Sequence, residues 1–301
     1  MDFCSSKLDF YQSKGFVHFD SGVSKQLLLK LRNLAKQLEE SAKKDYFAGQ
    51  VSNQYTLCTR ASEPRLFRYN NLFFEAPELI IQLLASPMIL TIFKDLCGND
   101  CVPMQLDLVF KYAHPHPDIA WHQDAIVSRK HPFLAVGIYL DDAHMDDGCL
   151  SFVPGTQSRT QDVFKLSSQY GWDIPNVTQQ PVKAGDILVH DVMILHGSKP
   201  KRTVGSRRTL YLELSSIKGI QESGNHSHEW IELRKQWMAH VVKAADPESI
   251  PKHWHDFYGE PKYDLDSLVE LIKEKWEPPI PAVWSHKNVE HPDYPTPSEL
   301  R

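Results

Sequence analysis

Hydrophobic spacing divides the 301-residue chain into three stretches of different texture. In the first, Leu27, Leu31, Leu34 and Leu38 recur at helical spacing behind Ser24, a residue suited to capping a helix N-terminus. The run "PELIIQLLASPMILTIFKDLCG" predicts two more helices, with Pro77 and Pro87 at first-turn positions and Gly98 as a stop. These make the first hundred residues mostly helical. Between the helices, residues 45 to 75 follow neither period and carry Arg60, Arg65 and Arg68, which marks an irregular segment and a candidate lid.

From about residue 102 the pattern changes to short runs rich in β-branched and aromatic residues, separated by Asp-Gly and Pro-Gly turns. "MQLDLVFKYA", "WHQDAIV", "FLAVGIYLDDA", "CLSFVPG", "QPVKAGDILVHDVMILHGS" and "RRTLYLELSSI" read as successive strands. Strands with no helical pattern between them predict an antiparallel sandwich or barrel. The looser stretch at 156–178 is expected to be a loop or short inserted helix. After residue 225 helical spacing returns in Trp230, Leu233, Trp237 and Val241, and the chain ends in a proline-rich tail. The expected organisation is one domain over 1–301: a helical part to about 100, a β core over about 102–220, and a helical part with its tail over 225–301.

Composition narrows the class more than the function. An apolar fraction of 42% with 24% charged residues is that of a globular chain, and a net charge of -5 without a basic stripe gives no footprint for nucleic acid. No apolar run has the length of a membrane span, so neither nucleic acid nor membrane is an expected partner. Cysteines 4, 58, 97, 101 and 149 form an odd set without a CxxC, so neither a disulfide framework nor a cysteine zinc site is expected. A cytoplasmic protein, monomer or homodimer, fits these signals. Lys30, Leu31, Gln37 and Leu38 also fit a peroxisomal address pattern, but the same letters lie on the leucine-rich helix, where an apolar buried face explains them better.

The chemistry gathers in "AWHQDAIV". His122 and Asp124, two apart on an extended backbone, point to the same side. His196 ends an apolar strand before Gly197 and offers a third donor. Two imidazoles and a carboxylate on one face of a metal leave three positions open, the arrangement of non-haem Fe(II) oxygenases, whereas a closed zinc site would want a fourth protein ligand. Eleven residues past His196, Arg207 and Thr209 share one strand face and could hold a carboxylate through a rigid fork and a hydroxyl. 2-Oxoglutarate, with a chelating end and a distal acid, has the shape to fill both.

His122-x-Asp124, His196, Ser198 in "HGS" and Arg207 together resemble the signature of the phytanoyl-CoA dioxygenase family of Fe(II)/2-oxoglutarate oxygenases. "FYQSKGFVHFD" resembles the family's opening and "DDGCLSFVPGTQ" its Gly-Cys-Leu and Pro-Gly segments, so the resemblance covers roughly residues 8–220. One departure is that Thr156 and Gln157 follow the Pro-Gly where the family often has a histidine, whose role therefore does not carry over. The resemblance implies a double-stranded β-helix, or jelly roll of cupin type, with helices packed outside. It implies Fe(II) on His122, Asp124 and His196, with 2-oxoglutarate held by Arg207 assisted by Ser198 or Thr209. Dioxygen is the co-reactant and ascorbate a further implied reductant. The expected reaction oxidises an unactivated C-H bond, by default to an alcohol, in a small or medium metabolite, natural product or acyl thioester, with succinate and carbon dioxide released. Halogenating relatives replace the carboxylate with a small residue, so Asp124 implies that this chain does not halogenate.

Other residues stay open at the level of sequence. Gln105 and Asp107 either line the cavity or form a polar outer face; Tyr139 either donates to the cosubstrate or packs. His114, His116, His131, His144 and His190 read as surface or supporting groups, Arg208 as facing away from Arg207, and Asp146, Asp147 and Gly148 as a turn. Two rivals from other classes are a zinc hydrolase or lyase on the same three ligands and a non-catalytic sensor of 2-oxoglutarate or metal.

Overall fold

The computed structural model describes residues 5–50, 52–59, 63–113, 118–127, 130–280 and 282–284. Its strands are β1 (Phe16–Phe19), β2 (Tyr55–Cys58), β3 (Arg65–Tyr69), β4 (Cys101–Tyr112), β5 (Ile119–Gln123), β6 (Phe133–Tyr139), β7 (Leu150–Val153), β8 (Thr178–Gln180), β9 (Ile187–Asp191), β10 (Leu195–Ser198), β11 (Ser206–Ser216) and β12 (Val283–Trp284). They form a seven-stranded sheet in the order β1-β9-β6-β11-β4-β3-β2 and a five-stranded sheet in the order β12-β5-β10-β7-β8. From β4 to β11 the chain moves back and forth between the two sheets, the winding of a jelly roll, and every pairing within them is antiparallel.

Helices α1 (Ser5–Lys14), α2 (Lys25–Phe47), α3 (Pro77–Leu84), α4 (Pro87–Ile92), α5 (Val163–Tyr170), α6 (Ile217–Ser223), α7 (His228–Ala244), α8 (His253–Tyr258) and α9 (Leu265–Glu274) surround this core. Ser24 caps α2 as expected, its hydroxyl accepting from the Leu27 amide at 3.2 Å, and Leu27, Leu31 and Leu38 are buried. Of the address-like letters, Leu31 and Leu38 belong to the packed face and Lys30 and Gln37 are exposed. The large sheet is buried on both sides, which explains its strands' near-continuous apolarity. Leu106, Leu108 and Phe110 of β4 and Leu210, Leu212 and Leu214 of β11 join one core with the helices, while the alternate residues turn inward between the sheets.

The structure departs from the sequence expectation in four places. Residues 45 to 75 are not simply irregular: β2 and β3 form a hairpin that extends the large sheet, and β1 adds a strand at its other edge. The first hundred residues are thus part of the β architecture as well as its helical cover. The single strand expected over 180–198 is three strands, with the chain crossing from β9 in the large sheet to β10 in the small one through the turn at residues 192–194. The expectation of no disulfide is corrected at Cys97 and Cys101, which are joined across the Gly98 turn. The start of the proline-rich tail is also structured, since β12 pairs with β5. At 156–178 the expected short helix is α5, capped by Asp162. Among the described residues no single helix is long and apolar enough to cross a membrane.

Candidate active site

His122 and His196 stand opposite each other on adjacent strands, β5 and β10, as register partners. Each ring is oriented by its own backbone: Nδ1 of His122 donates to the Ala120 carbonyl at 2.8 Å, and Nδ1 of His196 to the Ile194 carbonyl at 2.9 Å. That orients both rings with Nε2 turned inward toward Asp124, the edge a metal would use. Asp124 follows β5 directly, its amide bound to the Val192 carbonyl at 2.8 Å, and its Oδ1 lies 3.3 Å from Nε2 of His122 and 3.6 Å from Nε2 of His196. The three donor atoms lie within 4.8 Å of one another, close enough for one ion.

His190 completes this group from β9. Its Nε2 is 3.1 Å from Oδ2 of Asp124, the oxygen turned away from the other imidazoles. Sequence reasoning left it among the supporting histidines without a partner; its partner sits 66 residues earlier and on the other sheet. Burial alone would raise the Asp124 pKa, but His196 and the hydrogen bonds from His122 and His190 hold it well below the usual carboxylate range. Burial and the neighbouring imidazoles push His196 the other way, toward the neutral form a metal requires, against the pull of Asp124. An ionised Asp124 beside a neutral His196 is the protonation state a metal needs at those two positions.

Arg207, Thr209, Tyr211 and Glu213 follow one another along the inward face of β11. Arg207 is fully buried, and its Nη1 donates to the Gly148 carbonyl at 2.5 Å. Its Nε and Nη2 have no partner, nor do the buried hydroxyls of Thr209 and of Tyr139, which faces Thr209 across the β11–β6 pairing. Leaving such groups unpaired costs about 1–3 kcal/mol each, so this corner is built for a ligand that accepts hydrogen bonds from several sides. A carboxylate fits. Ser198 is placed less freely, since its hydroxyl also donates to the Gly148 carbonyl, at 2.8 Å. Arg208 turns away and forks onto Asp141 at 2.7 and 2.8 Å.

Gly148 is the hinge of this arrangement. It adopts φ +87, and a Cβ there would lie 2.8 Å from Cδ of Lys111, so glycine is required both by conformation and by space. The preceding Asp147 accepts from Lys201, Thr203 and two backbone amides, which makes the Asp146–Gly148 region the turn expected from sequence. Thr156 is likewise structural: its hydroxyl donates to the Val153 carbonyl and accepts from the Leu195 amide, while Gln157 reaches Gln12 of α1. Of the remaining histidines, His131 pairs with Glu222 and His144 is exposed in the turn; His114 and His116 lie outside the described residues, as does Arg60.

The triad opens into a cavity of about 880 Å³ including its mouth. Gln105 lines it, and Gln105 and Arg68 both donate to Asp107 behind the wall, so the polar face of β4 is inward rather than outward. Arg68 is neither a lid residue nor a solvated charge but part of β3; Arg65 binds the Ala113 carbonyl and packs over Tyr112. Pro279, Ile280 and Ala282, the approach to β12, close one side of the mouth. Nothing in the tail's composition marks that role.

A profile of the phytanoyl-CoA dioxygenase family matches residues 11–209, about two thirds of the chain. The chain belongs to that family. Its enzyme class is accordingly that of the Fe(II)- and 2-oxoglutarate-dependent dioxygenases, and the family's cofactors suit both the donor set and the unpaired carboxylate corner. A relative from Stutzerimonas stutzeri, described as a probable alpha-ketoglutarate-dependent hypophosphite dioxygenase, is 25% identical over 67% of this chain and 75% of its own length. Among solved structures, AviO1 from Streptomyces viridochromogenes Tue57 superposes with a TM-score of 0.61 at 25% identity, covering 73% of this chain and 97% of that one. EctD from S. alaskensis with bound Fe shares the fold alone, with a TM-score of 0.59 at 15% identity over 72% of this chain and 78% of that one.

Proposed function

We propose that this phytanoyl-CoA dioxygenase family member oxidises, by default hydroxylates, an unactivated C-H bond of a small or medium metabolite, natural product or acyl thioester, converting 2-oxoglutarate to succinate and carbon dioxide. The observation that carries the reading is that one interior holds two complementary deficits: three convergent metal donors and, along β11 and β6, buried donors with no acceptor. In this reading His122, Asp124 and His196 hold Fe(II), and Arg207, Thr209 and Tyr139 bind the distal carboxylate of 2-oxoglutarate. Iron with its cosubstrate and dioxygen supplies the oxidising chemistry. The protein fixes the two imidazole tautomers, keeps Asp124 ionised through His190, and shields the reacting carbon behind the apolar wall of Val109, Ile119 and Leu150. Ser198 contributes indirectly by holding the Gly148 carbonyl against Arg207.

A zinc hydrolase would have no use for four buried polar atoms without protein partners, and a sensor would not need three ligands oriented this carefully. The cytoplasm is the compartment we propose. The test is metal analysis of protein purified without added metal, together with succinate release when Fe(II), 2-oxoglutarate and metabolite pools are supplied. Iron-dependent succinate release that one pool fraction stimulates is the expected result; activity with zinc and no succinate would sink the proposal.

A further inference from the structure

Glu213 is an acidic side chain on the cavity wall without a direct partner among the described residues, the nearby Arg68 being bonded to Asp107. It lies on β11 two turns of the pleat beyond Thr209, paired across the sheet with Gln105 on one side and Ala135 on the other, and both of those residues also line the cavity. Glu213 also borders a second, smaller hollow lined by Trp230, Arg234 and Glu277, which adjoins the active-site cavity through Gln105, Pro279 and Ile280. It has no hydrogen bond and no ion pair among the described residues. Its acidic neighbours do: Asp107 has Arg68, Gln105 and the Asn71 amide, and Asp124 has its imidazoles.

A carboxyl enclosed without a partner is expensive and is retained only where something arrives to use it. Charge counting says what. In the loaded site the two positive charges of the metal offset the two negative charges of 2-oxoglutarate, Arg207 offsets Asp124, and Arg68 offsets Asp107. Glu213, once ionised, would be a single unmatched negative charge beside apolar walls such as Phe67, Val109 and Ile280, a charge that an arriving cation would stabilise. Resting on the function proposed above, we infer that Glu213 is the specificity-determining residue and that the substrate carries a cationic nitrogen, an ammonium or guanidinium, which this carboxylate receives. The remainder of the substrate packs on the apolar wall, with the carbon to be oxidised held toward the triad. A neutral hydroxyl substrate would be served equally well by glutamine at this position, which makes the charge testable.

The experiment needs no knowledge of the true substrate. Metal-free full-length protein is titrated calorimetrically, above pH 8, with cyclohexylamine and with cyclohexanol, which match in shape and differ in charge. The wild type should bind the amine at least about tenfold more tightly, Glu213→Asp should keep the preference in weakened form, and Glu213→Gln should bring the ratio to about one. Melting curves of both variants check that they fold. Equal binding of the two probes, no binding of the amine, or a preference that survives Glu213→Gln would each overturn the assignment. In the loaded enzyme, compounds that stimulate succinate release should be those with a cationic nitrogen, and a set of purely neutral or anionic stimulators would overturn it too. Loss of succinate release altogether would instead count against the dioxygenase reading, leaving the amine preference to stand or fall separately.

Discussion

The two ends of the cavity are built on different principles. At the metal end the two ligand imidazoles are each oriented by backbone two residues away, His122 by Ala120 and His196 by Ile194, and only Asp124 reaches across the chain, to the Val192 carbonyl and His190. At the mouth, polar groups are held by partners far away in sequence, such as Arg68 on Asp107, and one of them, Glu213, is held by nothing. The metal end is rigid and general, whereas the mouth is assembled from β3, β4, β11 and the approach to β12, elements that can change without disturbing the ligands. Chemistry is fixed where orientation is local, and selectivity is left to long-range assembly.

The hardest blow to that contrast is aimed at the metal end. His122→Ala or Asp124→Ala should abolish iron-dependent succinate formation while leaving the fold intact, since each removes one of three donors from a preformed cluster. Succinate measured by mass spectrometry with melting curves alongside checks both halves. Retention of full turnover by either variant would mean that metal is held elsewhere.

A smaller but sharper effect separates neighbours on β11. Arg207 offers two unpaired donors to the interior, each worth about 1.5–3 kcal/mol to a charged acceptor. Arg207→Ala should therefore raise the 2-oxoglutarate KM by about a hundredfold or more, at about 1.4 kcal/mol per tenfold. Arg208 already spends its fork on Asp141 and faces away from the interior, so Arg208→Ala should change that KM by no more than about threefold, under about 1 kcal/mol. Steady-state kinetics at varied 2-oxoglutarate decides it, and the opposite ranking would place the cosubstrate on the other face of the strand.

How much of this was visible in the sequence follows the same division. The triad and Arg207–Thr209 could be read because their geometry is a period: two residues apart on a strand means one face. The same period run two steps further reaches Glu213, which could have been found by extending the count along "RRTLYLEL". His190 could not, because its meaning depends on β9 lying beside the loop after β5. The β2–β3 hairpin was hidden because Arg65 and Arg68 interrupt its apolar pattern, and the inward charge is satisfied only by Asp107 on the next strand. β12 left no trace at all, since its role is backbone pairing to β5 and a proline-rich composition argues against strands. Likewise residues 187–198 are buried throughout, in both sheets and in the turn between them, so periodicity could not show where the chain crosses.

The gentlest test addresses the mouth through pH. Burial raises the Glu213 pKa from its ordinary 4.5 to about 8, with Asp124 and Asp107 adding to the shift and Arg68 opposing it. His226, Arg234 and Glu277 line the adjoining hollow and complete the charged surroundings. In the metal-free protein between pH 4.5 and 8, the unfolded chain has lost this proton while the folded chain keeps it, so unfolding releases a proton and is favoured by rising pH. The contribution of Glu213 to stability should therefore fall across that window, by at most about 1.4 kcal/mol per pH unit, and level off above it. Urea denaturation of wild type and Glu213→Gln should give curves that coincide near the acid end and separate toward pH 8, with the variant the more stable there. Groups common to both proteins cancel in the difference. A gap that stays constant across the window would mean that Glu213 is already paired or hydrated in the empty cavity, and the mouth would then be as fully satisfied as the metal end.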